Sequence, residues 1–241
     1  MTINFKTFPT PQATAEACGQ HVLSVLDAAA RGNKEVTLAV SGGSTPKLMF
    51  AYMAKAEIDW NKVHLFWVDE RGVPPDNADS NYRMTNEHFI VPARIPQRNI
   101  HRVKAELEAD VAARYYESEI REFFRVAPGE LPHFDLLHLG VGPDAHTASL
   151  FPGEPLIDDR AGLVGAVYVQ KMQQWRITLL PGVLLSARNT AVLISGQDKA
   201  EAMQHVVQGA YEPRQFPSQI IAHQARRASW FLDEASATLL A

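Results

Sequence analysis

The sequence predicts an α/β protein built on a mainly parallel sheet with helices on both faces. Three observations carry this. Short apolar runs alternate with amphipathic stretches of helical length along almost the whole chain. The runs are apolar at successive positions, as suits strands buried on both sides, and parallel neighbours need the crossover connections that the helices supply. Clusters of Gly, Ser, Asp, His and Lys follow the apolar runs, at the strand ends where open α/β sheets bind ligands.

In order, Ile3–Phe8 reads as a strand and Thr10 or Gln12 to Arg31 as a helix, ended by Gly32-Asn33. Glu35–Val40 is a buried strand that runs straight into Ser41-Gly42-Gly43-Ser44-Thr45-Pro46. Pro46 fits the first turn of a helix reaching about Ala56, with Ser44 or Thr45 as its cap. Trp60–Val68 is the next strand, and Asp69-Glu70-Arg71 at its end reads most simply as a solvated exit. A Pro-rich loop, Gly72–Asp79, leads to Ser80, the expected cap of a helix through about Phe89. Asp110–Arg125 has helical periodicity, with Tyr115, Ile120, Phe123 and Phe124 on its apolar face.

Phe134–Leu139 feeds the segment from His138 to Gly153, in which Gly140 and Gly142 break the apolar run and bring Asp144 and His146 to a strand end. Leu163–Val169 and Arg176–Leu180 are further strands, the second followed by a Pro181-Gly182 turn. Asn189–Ser195 is another, and Gly196–Ala200 opens a helix that puts Lys199 near its end. Ala228–Leu232 is a last strand before a closing helix. Ser41–Thr45, Asp69–Arg71, Asp144 with His146, Arg176 and Lys199 are thus able to share one crevice, although the pattern does not prove that Arg176 joins the others.

Composition sets the outer limits. The chain has 241 residues, 46% hydrophobic and 21% charged, which suits one globular domain over 1–241 and leaves two within range. A net charge of −4 gives no global attraction to nucleic acid or an anionic membrane, so an anionic ligand needs local cations. Cys18 is the sole cysteine, no N-terminal signal pattern is visible, and no apolar run approaches membrane-spanning length; a cytoplasmic protein is expected.

Motif tests remove several chemistries. The Ser41–Pro46 turn matches neither dinucleotide nor P-loop spacing, so no dinucleotide or ATP cofactor is expected. Its plain reading is a tight turn and capped helix, but a glycine-bearing turn before a helix is also a ready anion site. No G-x-S-x-G elbow supports a hydrolase serine, and none of the nine histidines stands in an H-E-x-x-H or paired-Cys zinc pattern; no metal is expected. A lone histidine is usually structural. For His146 the neighbouring Asp144, the flanking glycines and the strand-end position argue otherwise.

The ordered set of motifs resembles the 6-phosphogluconolactonase family, related to the glucosamine-6-phosphate isomerase/deaminases. It comprises Val40–Pro46, Val68–Arg71 with Ser80-Asn81-Tyr82, Ile95-Pro96 with Asn99–Arg102, Gly140–Gly153, Arg176–Leu179 and Lys199-Ala200. The resemblance implies a modified doubly wound, Rossmann-like fold, no organic cofactor, and hydrolysis of 6-phosphoglucono-1,5-lactone to 6-phosphogluconate in the pentose phosphate pathway. It also implies a carbohydrate-metabolism hydrolase acting on a small sugar phosphate, with a monomer expected and an oligomer left open. Water is a poor nucleophile, so His146 would take its proton and later protonate the leaving ring oxygen. Asp144 would orient that imidazole or position substrate, and Arg71 or backbone N–H groups would stabilise the oxyanion. Gly42, Gly43, Ser44, Thr45, Asp69, Arg176 and Lys199 make up the substrate-binding set, with Gly43, Ser44, Thr45, Arg176 and Lys199 on the phosphate.

The chain departs from the pattern at Ala145, where relatives usually have Gly, and around Leu180 and Leu185, where Thr and Asn are common. A left-handed backbone at 145 would cost a β-carbon roughly 1–2 kcal/mol. Two other functions compete. The deaminases carry a glutamate five residues after the matching histidine, and Phe151 stands there in this chain. A non-catalytic sugar-phosphate sensor would need an output module, for which the sequence offers little room and no basic helix-turn-helix signal.

Overall fold

A computed structural model describes residues 3–31 and 35–240. Seven strands form one parallel sheet in the order β1-β10-β9-β6-β2-β3-β5: β1 (Phe5–Phe8), β2 (Val36–Val40), β3 (Val63–Trp67), β5 (Ile100–His101), β6 (Leu136–Leu139), β9 (Thr190–Ile194) and β10 (Ala228–Asp233). Every residue of β2, β3, β6 and β9 is buried. This is the burial that uniformly apolar strands predict for a parallel sheet covered on both faces. The winding reverses between β2 and β6, which pair through Leu38 with Leu136 and Ala39 with Leu137. The loops after these two strands therefore splay apart and leave a crevice between them.

The helices follow from local signals. In α1 (Pro11–Ala29) Thr10 accepts from Ala13 N at 3.1 Å, Pro11 takes the first turn, and Ala15, Cys18, Val22 and Leu26 form the buried stripe. The expected Gly32-Asn33 stop lies outside the described residues. The next helix, α2 (Ser44–Met53), is capped by Gly43 and not by Ser44 or Thr45, whose hydroxyls make no cap bond. Ser80 does cap α3 (Asn81–Thr85), accepting from Arg83 N, and a π-turn then leads into α4 (Val91–Ala93). In α5 (Ala109–Phe124) it is Tyr116, and not Tyr115, that faces the core. The Tyr116 hydroxyl meets Trp67 N and Trp67 O at 2.8 Å each, fixing the C-terminal end of β3 just before Asp69.

Three expectations are corrected. Leu163–Val169 and Arg176–Leu180 belong to a separate three-stranded antiparallel sheet, β4 (Asp69–Arg71), β8 (Gln174–Leu179) and β7 (Val164–Val169), in the order β4-β8-β7. Pro181-Gly182 begins a helix, α6 (Pro181–Ser186). The Gly196 turn leads, as expected, through a 3-10 turn to α7 (Ala200–Gln208), and α8 (Ser218–Gln224) precedes β10. No helix closes the described chain: after β10 come turns, in which the Ser236 and Thr238 hydroxyls bond to the carbonyls of Asp233 and Glu234 and compete with a helical ladder. No helix among the described residues is long and apolar enough to cross a membrane.

Candidate active site

A cleft of about 380 Å³ opens where the winding reverses. Its walls are the turn after β2, the loop after β6, the turn after β9 and the facing side of the small sheet. Gly42, Gly43, Ser44, Thr45, Asp69, Arg71, His146, Arg176 and Lys199 all line it. Of the candidate residues only Asp144 does not, because it stands behind His146. Arg176 reaches the cleft by a different route from the one expected: it sits inside β8 rather than at a strand's C-terminal end.

The small sheet is what gathers the charge. Asp69-Glu70-Arg71 is no solvated exit, since Glu70 is 2% exposed and Asp69 7%. Glu70 accepts from Arg71 N, Ser80 Oγ, Asn81 N and Tyr82 N at 2.7–3.1 Å, and so closes the start of α3 onto β4. Burial raises its pKa, and those N–H donors oppose the rise. In the β4–β8 register Arg71 lies directly opposite Arg176. Like charges placed so repel. Among the described residues neither has a carboxylate partner: Arg71 donates to Asp79 O and Arg176 to the Met172 sulfur, and the buried Nε of each is unpartnered. Burial lowers the Arg176 pKa, Arg71 adds to the effect, and Asp69, Glu70 and Asp79 oppose it. An anion is the group that this pair lacks.

The His146 loop is held from three directions. Gly142 N donates to His146 O at 2.8 Å, Ser218 N and Oγ of α8 donate to Ala145 O at 2.9 and 2.8 Å, and Ser149 Oγ donates to Asp69 Oδ2 at 2.7 Å. Gly142 is obligatory for packing, since a β-carbon would fall 2.0 Å from His146 Nδ1. Ala145 does adopt the left-handed backbone (φ 59°), so the strain that relatives avoid with glycine is present here. Leu180 and Leu185 do not line the cleft.

His146 Nδ1 lies 2.5 Å from Asp144 Oδ1. A carboxylate there accepts the Nδ1 proton and leaves Nε2 with the free lone pair. Burial pushes the imidazole pKa down to about 4; Asp69 opposes this, and Arg176, Lys199 and Arg71 add to it. The ring is therefore neutral at physiological pH. Phe151 packs against it with ring centroids 4.3 Å apart and the planes tilted by 31°. At the other end of the cleft α2 presents its first N–H groups, and Lys199 is bonded to Asp198.

Asn81 and Met172 were not among the residues that the sequence placed in the crevice, and Ser41 was placed there without a role. Asn81 Oδ1 and Ser41 Oγ are buried without a partner among the described residues. Asn81 is oriented by its amide N–H bond to Asp69 O, and a β-carbon at Gly42 would lie 1.7 Å from its Oδ1. Met172 arrives from the β7–β8 hairpin. The sequence signal for Asn81 was Ser80-Asn81 as a capping pair beside a charged strand end, and Met172 had none.

The family model described as glucosamine-6-phosphate isomerases/6-phosphogluconolactonase matches residues 9–230. The chain belongs to this family. Among its relatives, the 6-phosphogluconolactonase of Synechocystis sp. is 38% identical over 201 residues, 82% of each chain. That of Haemophilus influenzae is 32% identical over 242 residues, covering 99% of this chain and all of the relative. The solved structure of 6-phosphogluconolactonase from Trypanosoma brucei superposes with a TM-score of 0.89 at 25% identity, covering 99% of both chains. A monomeric glucosamine-6-phosphate deaminase, at 17% identity and a TM-score of 0.83, shares the fold.

Proposed function

We propose that this protein hydrolyses 6-phosphoglucono-1,5-lactone to 6-phosphogluconate, the activity that names its relatives, and that His146 is the general base. The observation that carries this reading is the Asp144–His146 pair with Phe151 against it. A neutral imidazole whose Nδ1 proton is held by a carboxylate has Nε2 available as a base. Where the deaminases place a glutamate, this site places an apolar ring, so the carboxylate of their proton relay is missing.

Nε2 of His146 takes a proton from water as the water oxygen bonds to the lactone C1, and the carbonyl oxygen becomes negative. Arg71 and nearby backbone N–H groups stabilise that charge. The bond from C1 to the ring oxygen then breaks, His146 returns the proton to the ring oxygen, and the new carboxylic acid ionises in water. Gly43, Ser44, Thr45, Arg176 and Lys199 hold the phosphate, with each charge-assisted bond worth roughly 1.5–3 kcal/mol. Gly42 gives the substrate room to approach, and Asp69 and Asn81 offer acceptors to its hydroxyls. Small-molecule turnover of this kind needs neither nucleic acid nor a second subunit, and we take the monomer as the working form.

Hydrolysis of freshly made lactone, coupled to 6-phosphogluconate oxidation and corrected for spontaneous opening, tests the reading. Acceleration well above the spontaneous rate is expected, with no ammonia from glucosamine 6-phosphate. Tight 6-phosphogluconate binding without acceleration would instead identify a sensor.

A further inference from the structure

The β7–β8 hairpin turns at Gln170–Gln173, and its tip reaches both ends of the charged wall. Met172 Sδ accepts from Arg176 at 3.0 Å, while the neighbouring Lys171 Nζ donates to Asp144 Oδ2, the carboxylate oxygen that His146 does not use. The same ammonium stands 4.7 Å above the Phe151 ring. Four side chains thereby close a cycle: Lys171 on Asp144, Asp144 on His146, His146 on Phe151, and Phe151 under Lys171. The Lys171 side chain is 49% exposed and, unlike Met172 beside it, does not line the cleft. Partial burial lowers its pKa.

We propose that Lys171 is a positioning residue for the reaction, holding the Asp144 carboxylate in the rotamer that orients His146. This rests on His146 being the base. The charged groups facing His146 are Asp144 on its own loop, Asp69 and Arg71 on β4, Arg176 on β8, Lys199 after β9 and Lys171 on the hairpin. Of these, Lys171 alone bonds to the carboxylate that receives the Nδ1 proton. Without Lys171 the full Asp144 charge would stabilise the imidazolium, raise the His146 pKa and protonate the base at higher pH. Freedom in Asp144 would also loosen the imidazole, and small misplacements of a catalytic group cost up to about 100-fold.

Lys171→Met keeps the apolar stem over Phe151 and removes only the charge. In the intact enzyme it is expected to lower kcat about 10- to 100-fold with KM within about twofold. The acid limb of the kcat/KM profile should move up by roughly half a pH unit, a coupling typical of partly exposed charges. Lys171→Arg should restore both. An unmoved acid limb, or a KM increase at unchanged kcat, would overturn the proposal, and a matched melting temperature keeps either result from being a folding effect. His146→Ala is measured beside it. If that variant is inactive and Lys171→Met is unshifted, Lys171 alone is wrong; if it is fully active, the base assignment fails and takes the Lys171 role with it.

Discussion

The two sheets solve different problems with the same backbone chemistry. In the seven-stranded sheet, β2, β3 and β9 are buried at every position and carry mostly apolar side chains that pack on both faces. In the three-stranded sheet, β4 consists of three charged residues, and the register sets one arginine opposite another. The first arrangement stabilises the fold. The second costs stability that an incoming anion can return. The contrast teaches that scaffold and charged wall answer to different forces: β7 and β8 bury Val167, Val169, Ile177 and Leu179 to hold the small sheet, while the charges on its cleft side are fixed by Glu70 and Ser149.

The largest expected effect concerns His146, whose chemistry depends on the wall but whose fold does not. His146→Ala and His146→Gln should each lower kcat by roughly 10²–10⁴-fold, with 6-phosphogluconate affinity changed far less. Full activity in a folded His146→Ala protein would move the base to another residue.

A paired measurement tests the separation of the sheets directly. Leu65→Ala, in the centre of β3, should cost about 2–5 kcal/mol in urea unfolding with KM little changed. Arg176→Met should do the reverse, raising KM by roughly 10- to 100-fold through a lost charge-assisted phosphate contact, with stability equal or higher as the cross-strand repulsion disappears. Loss of stability in Arg176→Met at unchanged KM would break the comparison.

Acid stability sharpens it further. Burial pushes His138, beneath the Ser41 turn, down to about 3. The unfolded chain takes up a proton near pH 6.5 that the native ring refuses, so stability should fall as pH drops below 6.5. Asp233, held below its ordinary 3.8, surrenders its contribution only at lower pH. The urea midpoint of His138→Asn should therefore show a shallower slope than the parent between about pH 6.5 and 4.5. Comparison with the parent cancels Glu70, whose raised pKa acts in the opposite direction.

The smallest effect is local. Ala145→Gly relieves a left-handed β-carbon worth roughly 1–2 kcal/mol but makes the unfolded chain more flexible by about 0.5–1 kcal/mol. A net rise of a few degrees or less in melting temperature is expected. A fall would mean that the buried methyl contributes more than its strain costs.

The same contrast explains what could be read from the sequence. Val36–Val40, Val63–Trp67 and Thr190–Ile194 were legible because burial on both faces leaves an uninterrupted apolar run. In the small sheet Leu163–Val169 and Arg176–Leu180 were legible as strands, but β4 was not, since Asp69-Glu70-Arg71 has no apolar period and its strandhood is imposed by β8. His146, Arg71, Lys199 and the Ser41–Thr45 turn could be nominated from their places after strands. Lys171 and Met172 could not: their role depends on where a hairpin tip lands, and nothing near them in the chain encodes that. Tyr116 was mistaken for Tyr115 because adjacent aromatic residues leave the helical phase ambiguous by one position.

Glu70 has a consequence for chain length. By binding Arg71 N at one end and Ser80 Oγ, Asn81 N and Tyr82 N at the other, one carboxylate staples both feet of the segment between 72 and 79. Residues inserted there add to a loop that is already closed, and each doubling of its length costs only about 0.6 kcal/mol in closure entropy. The middle of this segment, 73–78, is the natural place to graft a foreign sequence or a label, with Gly72 kept for its bond to Trp175 O and Asp79 for the carbonyl that accepts from Arg71.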